Sequence, residues 1–177
     1  MKALVVKADL DNYKHVADSV RNITTWEQFV IEAQWFDIKS WLGDEFLNEI
    51  VSQAETIPET LTAANRLLLD GGVYSYCGRQ YNFMGLKACI IYYAFARFTN
   101  RTSVNYTAAG VVRKESEFST PVSDKTIQRL ETEARLMADS IKCEIITFLN
   151  RKHDDYPLWR DCSRQCPGSR PFMVVGD

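Results

Sequence analysis

Between Met84 and Phe98 the chain reads MGLKACIIYYAFARF, and only Lys87 and Arg97 interrupt its apolar character. Wound as a helix, these side chains occupy every side of the wheel, whereas a helix at a protein surface keeps one polar side. The segment must be covered all round, by its own domain or by a neighbouring copy. At about 15 residues it falls short of the ~20 needed to cross a bilayer, so no membrane span is expected. Whatever this chain folds into has to be arranged around that helix.

The remaining segments supply candidates for the covering. Thr25-Trp26-Glu27-Gln28 has the capping-box form, and a helix is expected from there to about Leu42, with Trp26, Phe29, Val30, Ala33 and then Phe36 or Asp37 on its inner side. Gly43 ends it. Asp44 caps a second helix to about Gln53 that buries Phe46, Leu47 and Ile50, and Leu61 to Leu69 forms a short third, stopped by Gly71-Gly72. Val73 to Phe83, with Tyr74, Tyr76 and Tyr81 around Cys77-Gly78, reads as a small turn into the apolar helix. Pro121 and Ser123 open the last and longest helix, whose Ile127, Leu130, Ala134, Met137, Ala138, Ile141, Ile145, Phe148 and Leu149 keep a regular 3–4 spacing. Ahead of all these, Ala3 to Val6 reads as a docked arm or edge strand, and Asp9 to Val20 as weakly helical. The expected fold class is all-α: a bundle of four to five helices, the two longest at 84–99 and 123–151 and packed antiparallel.

Two stretches leave this helical body. Val104 to Thr107 and Val111 to Ser116 have β-type composition and meet at Ala108-Ala109-Gly110, where Gly suits the left-handed position of a three-residue hairpin loop. After Asp154-Asp155-Tyr156-Pro157 come Pro167 and Pro171, and the apolar residues fall into two short clusters, too sparse for a core. The organisation expected is a helical domain over 1–155, a projecting arm at 102–122 within it, and an extended tail over 156–177.

Sites for chemistry are harder to find. The chain has no phosphate-binding G-x-x-x-x-G-K, no G-x-G-x-x-G, no G-x-S-x-G and no H-E-x-x-H. Its two histidines, His15 and His153, lie near segment ends and read as solvated. Cys162, Cys166 and His153 offer three ligands of a zinc set without the usual second pair, so free thiols or a late disulfide are the expectation. Cys89 and Cys143 fall in apolar helical patterns, where a free thiol acts as a small hydrophobe; together with no apolar leader after Met1, this argues for a reducing compartment. The Asn22, Asn100 and Asn105 glycosylation-type triplets are then fortuitous. Glu131 and Arg135 form an i,i+4 pair of the kind worth ~0.3–0.5 kcal/mol. Tyr74, Tyr76 and Tyr81 beside Arg79 offer rings on which bases can stack, but a sequence pI near 5.8 provides no basic groove. No cofactor, metal or enzymatic activity is expected.

Charge is unevenly distributed. Residues 37–70 hold seven acids against Lys39 and Arg66, and residues 71–114 hold six bases and no acid. Either the blocks neutralise each other within one fold, or they mark complementary faces of a subunit that assembles head to tail.

The run Tyr81-Asn82-Phe83-Met84-Gly85-Leu86-Lys87-Ala88, continuing Ile90 to Arg97, resembles head–tail connector proteins of tailed phages of Bacteroides-type hosts. So do Thr107 to Val112 with Lys114, Ser119 to Lys125, and the Trp26 to Gly43 block with Glu32-Ala33 and Phe36-Asp37. The resemblance covers roughly residues 1–155. It implies a head-completion adaptor: a helical virion protein, made in the host cytoplasm, that forms a ring with itself, commonly twelve-fold. The ring would sit beneath the portal protein at the head–tail junction, receive a further tail component on its far side, and let DNA pass non-specifically. The arm would contact an adjacent copy through Val104, Tyr106, Val111, Val112, Arg113, Lys114 and Phe118. The tail would dock on the portal through Leu158, Trp159, Phe172, Met173, Val174 and Val175. The competing classes are a stand-alone helical binding or regulatory module and a small helical enzyme.

Overall fold

A computed structural model of the chain describes residues 2–11, 13, 23–56, 60–102, 104–107, 110–113 and 123–160. The apolar segment forms α6 (Gly85–Thr102), and it lies at the centre. Leu86, Ala88, Cys89, Ile90, Ile91, Tyr93, Ala94 and Ala96 are all buried. The covering comes from the chain itself. On one side α2 (Ile23–Ala33) sets the Trp26 and Phe29 rings edge-on to Phe98, at 6.2 and 5.9 Å. On another, α7 (Asp124–Arg151) buries Ala134, Ala138, Ile141, Ile145, Phe148 and Leu149. Leu68 and Leu69 of α5 (Ala63–Asp70) close a third side. Each fully buried Leu, Ile or Phe contributes ~1.5–3 kcal/mol, so this shell fixes the position of α6. The two long helices run antiparallel as expected: Phe83, just ahead of α6, stacks on Phe148 near the end of α7 at 4.2 Å, while Arg97 and Arg135, farther from that end, both reach Asp37.

The helix expected to end at Leu42 does so, but it is not α-helical throughout. After α2 it widens into a π-helical stretch, Gln34–Ile38, and resumes as α3 (Lys39–Leu42) up to Gly43, whose φ of +94° ends it. A π turn inserts one residue into the helical phase. The inner position after Ala33 therefore falls on Ile38, which is fully buried, rather than on Phe36, which is 67% exposed. The same turn carries Gln34 inward, where its Oε1 accepts from the Leu4 backbone N–H at 2.8 Å and its Nε2 donates to the Lys2 carbonyl at 3.2 Å. That clamp docks the first residues and buries Leu4 and Val5. A short α1 (Lys7–Asp11) follows. In α4 (Asp44–Glu55), Gly43 rather than Asp44 occupies the N-cap, and Phe46, Leu47, Ile50 and Val51 are buried. Thr62 and Ser123 cap α5 and α7, their hydroxyls accepting from Asn65 N and Thr126 N.

The chain is predominantly helical, but all-α is incorrect. Val73 to Phe83 is a complete β-hairpin, β1 (Gly72–Tyr76) against β2 (Arg79–Phe83), with Tyr74 opposite Tyr81 and Tyr76 opposite Arg79. Cys77 and Gly78 carry φ of +49° and +72°, the two positive values of a type I′ turn. Gly71 and Gly85 meet back to back at its base: a methyl group on Gly85 would collide with the Gly71 backbone nitrogen. A second hairpin, β3 (Val104–Thr107) with β4 (Gly110–Arg113), occupies the expected arm. Thr107 pairs with Gly110, so Gly110 belongs to the ladder instead of a three-residue loop.

The division after Asp155 also moves. Tyr156 and Trp159 are core residues, 2% and 5% exposed. Beyond the 3-10 turn His153–Asp155, Trp159 N donates to the Tyr156 carbonyl and brings the chain back onto the body. Tyr156 Oη donates to the Ala64 carbonyl at 2.7 Å, and Trp159 Nε1 to Asn150 Oδ1 at 2.7 Å. Pro157 ends the helix without ending the fold.

Candidate assembly surfaces

Three regions outside the apolar core have the polarity or exposure of a site. The first is a charged seam between the π turn, α6 and α7. Asp37 Oδ2 accepts from Arg97 Nε at 2.9 Å and lies 2.8 Å from its Nη2, a two-pronged pair that is 13% and 15% exposed. Glu32 joins Arg101 at 2.6 Å, and Glu131 accepts from Arg135 Nε at 3.1 Å. The Glu131–Arg135 pair is therefore part of a network in place of an isolated surface contact. Alongside it Tyr93 donates to Asp139, and burial followed by that bond pushes the phenol well above its ordinary range. Asp70 and Lys87 pair at 2.7 Å. The acidic and basic blocks of the sequence thus neutralise each other in part within one chain, through Asp37–Arg97 and Asp70–Lys87.

The second region is the β3–β4 ribbon with the start of α7. The arm residues Val104, Tyr106, Val111, Val112 and Arg113 are placed in the ladder; Lys114 and Phe118 lie outside the described residues. From Ser123 to Glu133 no residue of α7 is buried. The expected apolar stripe runs out past the core at Leu130, which is 38% exposed; Met137, at 57%, lies at the edge of the stripe although Ala134 and Ala138 beside it are buried, and Leu136, at 64%, is on the outer side.

The third region went unrecognised in the sequence. A groove of about 380 Å³ runs between the first hairpin and α7, with Tyr74, Tyr81 and Phe83 on one wall and Ser140, Glu144 and Arg151 on the other. Tyr74 stacks on Tyr81 at 5.6 Å and meets Phe148 edge-on at 4.8 Å. Of the three tyrosines whose rings could stack bases, Tyr74 and Tyr81 are thus engaged with the protein's own rings, and Tyr76 is exposed beside Arg151. Polar residues at 140, 144, 147 and 151 do recur at helical spacing, but they mark a groove only once a hairpin is known to face them.

Of the tail residues offered as docking anchors, Trp159 is committed to the core, edge-on to Trp41 at 6.4 Å, and Leu158 packs against it. Phe172, Met173, Val174 and Val175 lie outside the described residues, as do His15, Cys162 and Cys166. His153 is exposed beside Asp154. Cys89 is buried, and burial pushes its thiol far above the ordinary range, which leaves it inert as a nucleophile. Cys143 is exposed, against expectation: its position falls outside the inner stripe of α7. Among the described residues no group of three or more His, Cys, Asp or Glu is placed to hold a metal, and no helix is long and apolar enough to cross a membrane.

The class that this architecture defines is a mainly helical scaffold wrapped around one buried helix and bearing two β-hairpins. Within it, the chain belongs to a family of unknown function, DUF6712, whose model matches residues 38–169. No curated protein and no solved structure matches it.

Proposed function

We propose that the chain is a structural subunit of a phage head–tail connector, forming a ring beneath the portal and leaving a channel for DNA. The observation that carries this reading is the β3–β4 ribbon. It links the two longest helices in the chain, and among the described residues each of its strands pairs only with the other. A two-stranded ribbon is marginal in water unless something packs on it. An adjacent copy supplies that packing through Val104, Tyr106, Val111, Val112, Arg113, Lys114 and Phe118. The portal-docking set reduces to Phe172, Met173, Val174 and Val175, because Leu158 and Trp159 are used within the fold. A net charge of −2 gives DNA phosphates little to bind. Light scattering and negative-stain microscopy of the purified chain, alone and with a co-expressed portal, test the proposal. Closed rings are expected; a monomer at every concentration, with and without portal, overturns it.

A further inference from the structure

The outward face of α7 is organised about its middle. Arg129, Glu133, Ser140 and Glu144 follow the three- and four-residue steps of one helix face, with Leu136 and Met137 on either side of its midline. All six are exposed. Arg129 stands seven positions before Leu136, and Glu144 stands seven after Met137; Glu133 stands three before Leu136, and Ser140 three after Met137. The charges on this face are loosely held within the chain. Arg129 reaches Glu133 only at 3.9 Å, with both side chains largely in solvent. The other α7 ion pairs among the described residues are Arg135–Asp37 and Arg135–Glu131, and none involves Glu144.

We propose that this face of α7 receives the same face of a second copy of the chain, the two helices lying antiparallel about a two-fold axis between Leu136 and Met137. A two-fold contact needs a surface complementary to itself, and the matched steps supply one. Leu136 meets Met137 of the second copy, Ser140 donates to its Glu133, and Glu144 meets its Arg129. Each contact is made twice, and the two charge pairs lie about 11 Å to either side of the axis. Other arrangements are worse. Sliding one helix by four residues sets Glu133 against Glu144 in one direction and against Leu136 in the other. Parallel helices would set Arg129 against Arg129 and Glu144 against Glu144. The antiparallel pairing also covers what one copy leaves bare. The first half of α7, with no buried residue from Ser123 to Glu133, lies along the second half of its counterpart, where Ser140 and Glu144 line the open groove beside the first hairpin. The contact uses no part of the β3–β4 arm and does not rest on the ring reading.

Charge reversal in the full-length chain tests this, with dimer formation followed by sedimentation over a range of concentrations and helix content checked by circular dichroism. Arg129→Glu and Glu144→Arg should each weaken the dimer by roughly tenfold or more, since each places like charges together on both sides of the axis. The two combined in one chain should restore it to near the wild-type level. Mixing the two single variants should also restore it, as a mixed dimer, because both cross-contacts are then between opposite charges. A wild-type chain that forms no dimer at any concentration overturns the proposal. So do single reversals that dimerise as well as wild type, and a double variant that stays as weak as the singles. Ring closure with the portal is a separate measurement: its failure overturns the ring reading and leaves the two-fold contact standing.

Discussion

Both hairpins flank α6, both are antiparallel, and both are short, yet they relate to the core in different ways. The first, β1–β2, has its ends held together by Gly71 and Gly85 and puts Tyr74 and Phe83 onto Phe148. The second, β3–β4, pairs only with itself among the described residues. A ladder of backbone hydrogen bonds is common to both, so the ladder does not decide whether a ribbon belongs to the body. Aromatic anchorage does so for the first hairpin, which is one wall of a closed structure, while among the described residues the second is held by its own ladder.

The largest expected effect follows from removing the anchor. Phe148 stacks on Phe83 at 4.2 Å and touches Tyr74 and Tyr156 edge-on at 4.8 and 5.6 Å. Phe148→Ala should cost ~3–5 kcal/mol in chemical denaturation, and hydrogen exchange should show β1–β2 opening before α6. If β1–β2 keeps wild-type protection in that variant, the ring stack is not what holds it.

A smaller effect is expected in alkali, on the same side of the molecule. The Tyr156 phenol is raised above its ordinary value of 10.0, chiefly by burial. The folded state therefore keeps a proton that the unfolded chain releases. Stability is full below about pH 10 and falls as pH rises beyond it. Tyr156→Phe removes a hydrogen bond worth about 1 kcal/mol at neutral pH but should flatten the alkaline decline, seen as a shallower dependence of the urea midpoint on pH. An unchanged slope would show that Tyr156 is not the titrating group.

The smallest effect on stability should come from excising the second hairpin. Replacing residues 103–114 by a short Gly-Ser linker should change the unfolding free energy by less than about 0.5 kcal/mol, while assembly is lost. A large drop in melting temperature would mean that the ribbon is anchored after all and that the contrast between the hairpins is false.

The same contrast explains which parts of the fold were legible in the sequence. The arm was, because Val104 to Thr107 and Val111 to Arg113 alternate around a glycine. The first hairpin was not: its turn is Cys-Gly, where Asn-Gly or Asp-Gly is the usual signal, and its tyrosines look the same whether in strand or turn. The long α7 was legible in extent and mistaken in part in burial, since a 3–4 spacing shows neither that the core stops short of Leu130 nor that Met137 falls at the edge of the stripe, between buried Ala134 and Ala138. Phe36 was misplaced because a π turn leaves no mark in a 3–4 pattern except a slip of one residue, here from Ala33 to Ile38. The tail was divided too early because Pro157 signals the end of a helix, and Trp159 returns to Asn150 by a contact that no local pattern contains. The seam and the groove depend on partners far apart in sequence, such as Asp37 with Arg97, and pairings of that kind follow only from the fold.

The meeting of Gly71 and Gly85 bears on the order in which the molecule closes. The backbone leaves the end of α5, describes the hairpin and returns to the point of departure, with the Leu69 carbonyl at the threshold of α6. In folding time this is a short local closure, of the kind made in microseconds, and it becomes lasting only when α7 brings Phe148 against Tyr74 and Phe83. Because its two ends coincide, the hairpin adds a wall to the body without altering the path from α5 into α6.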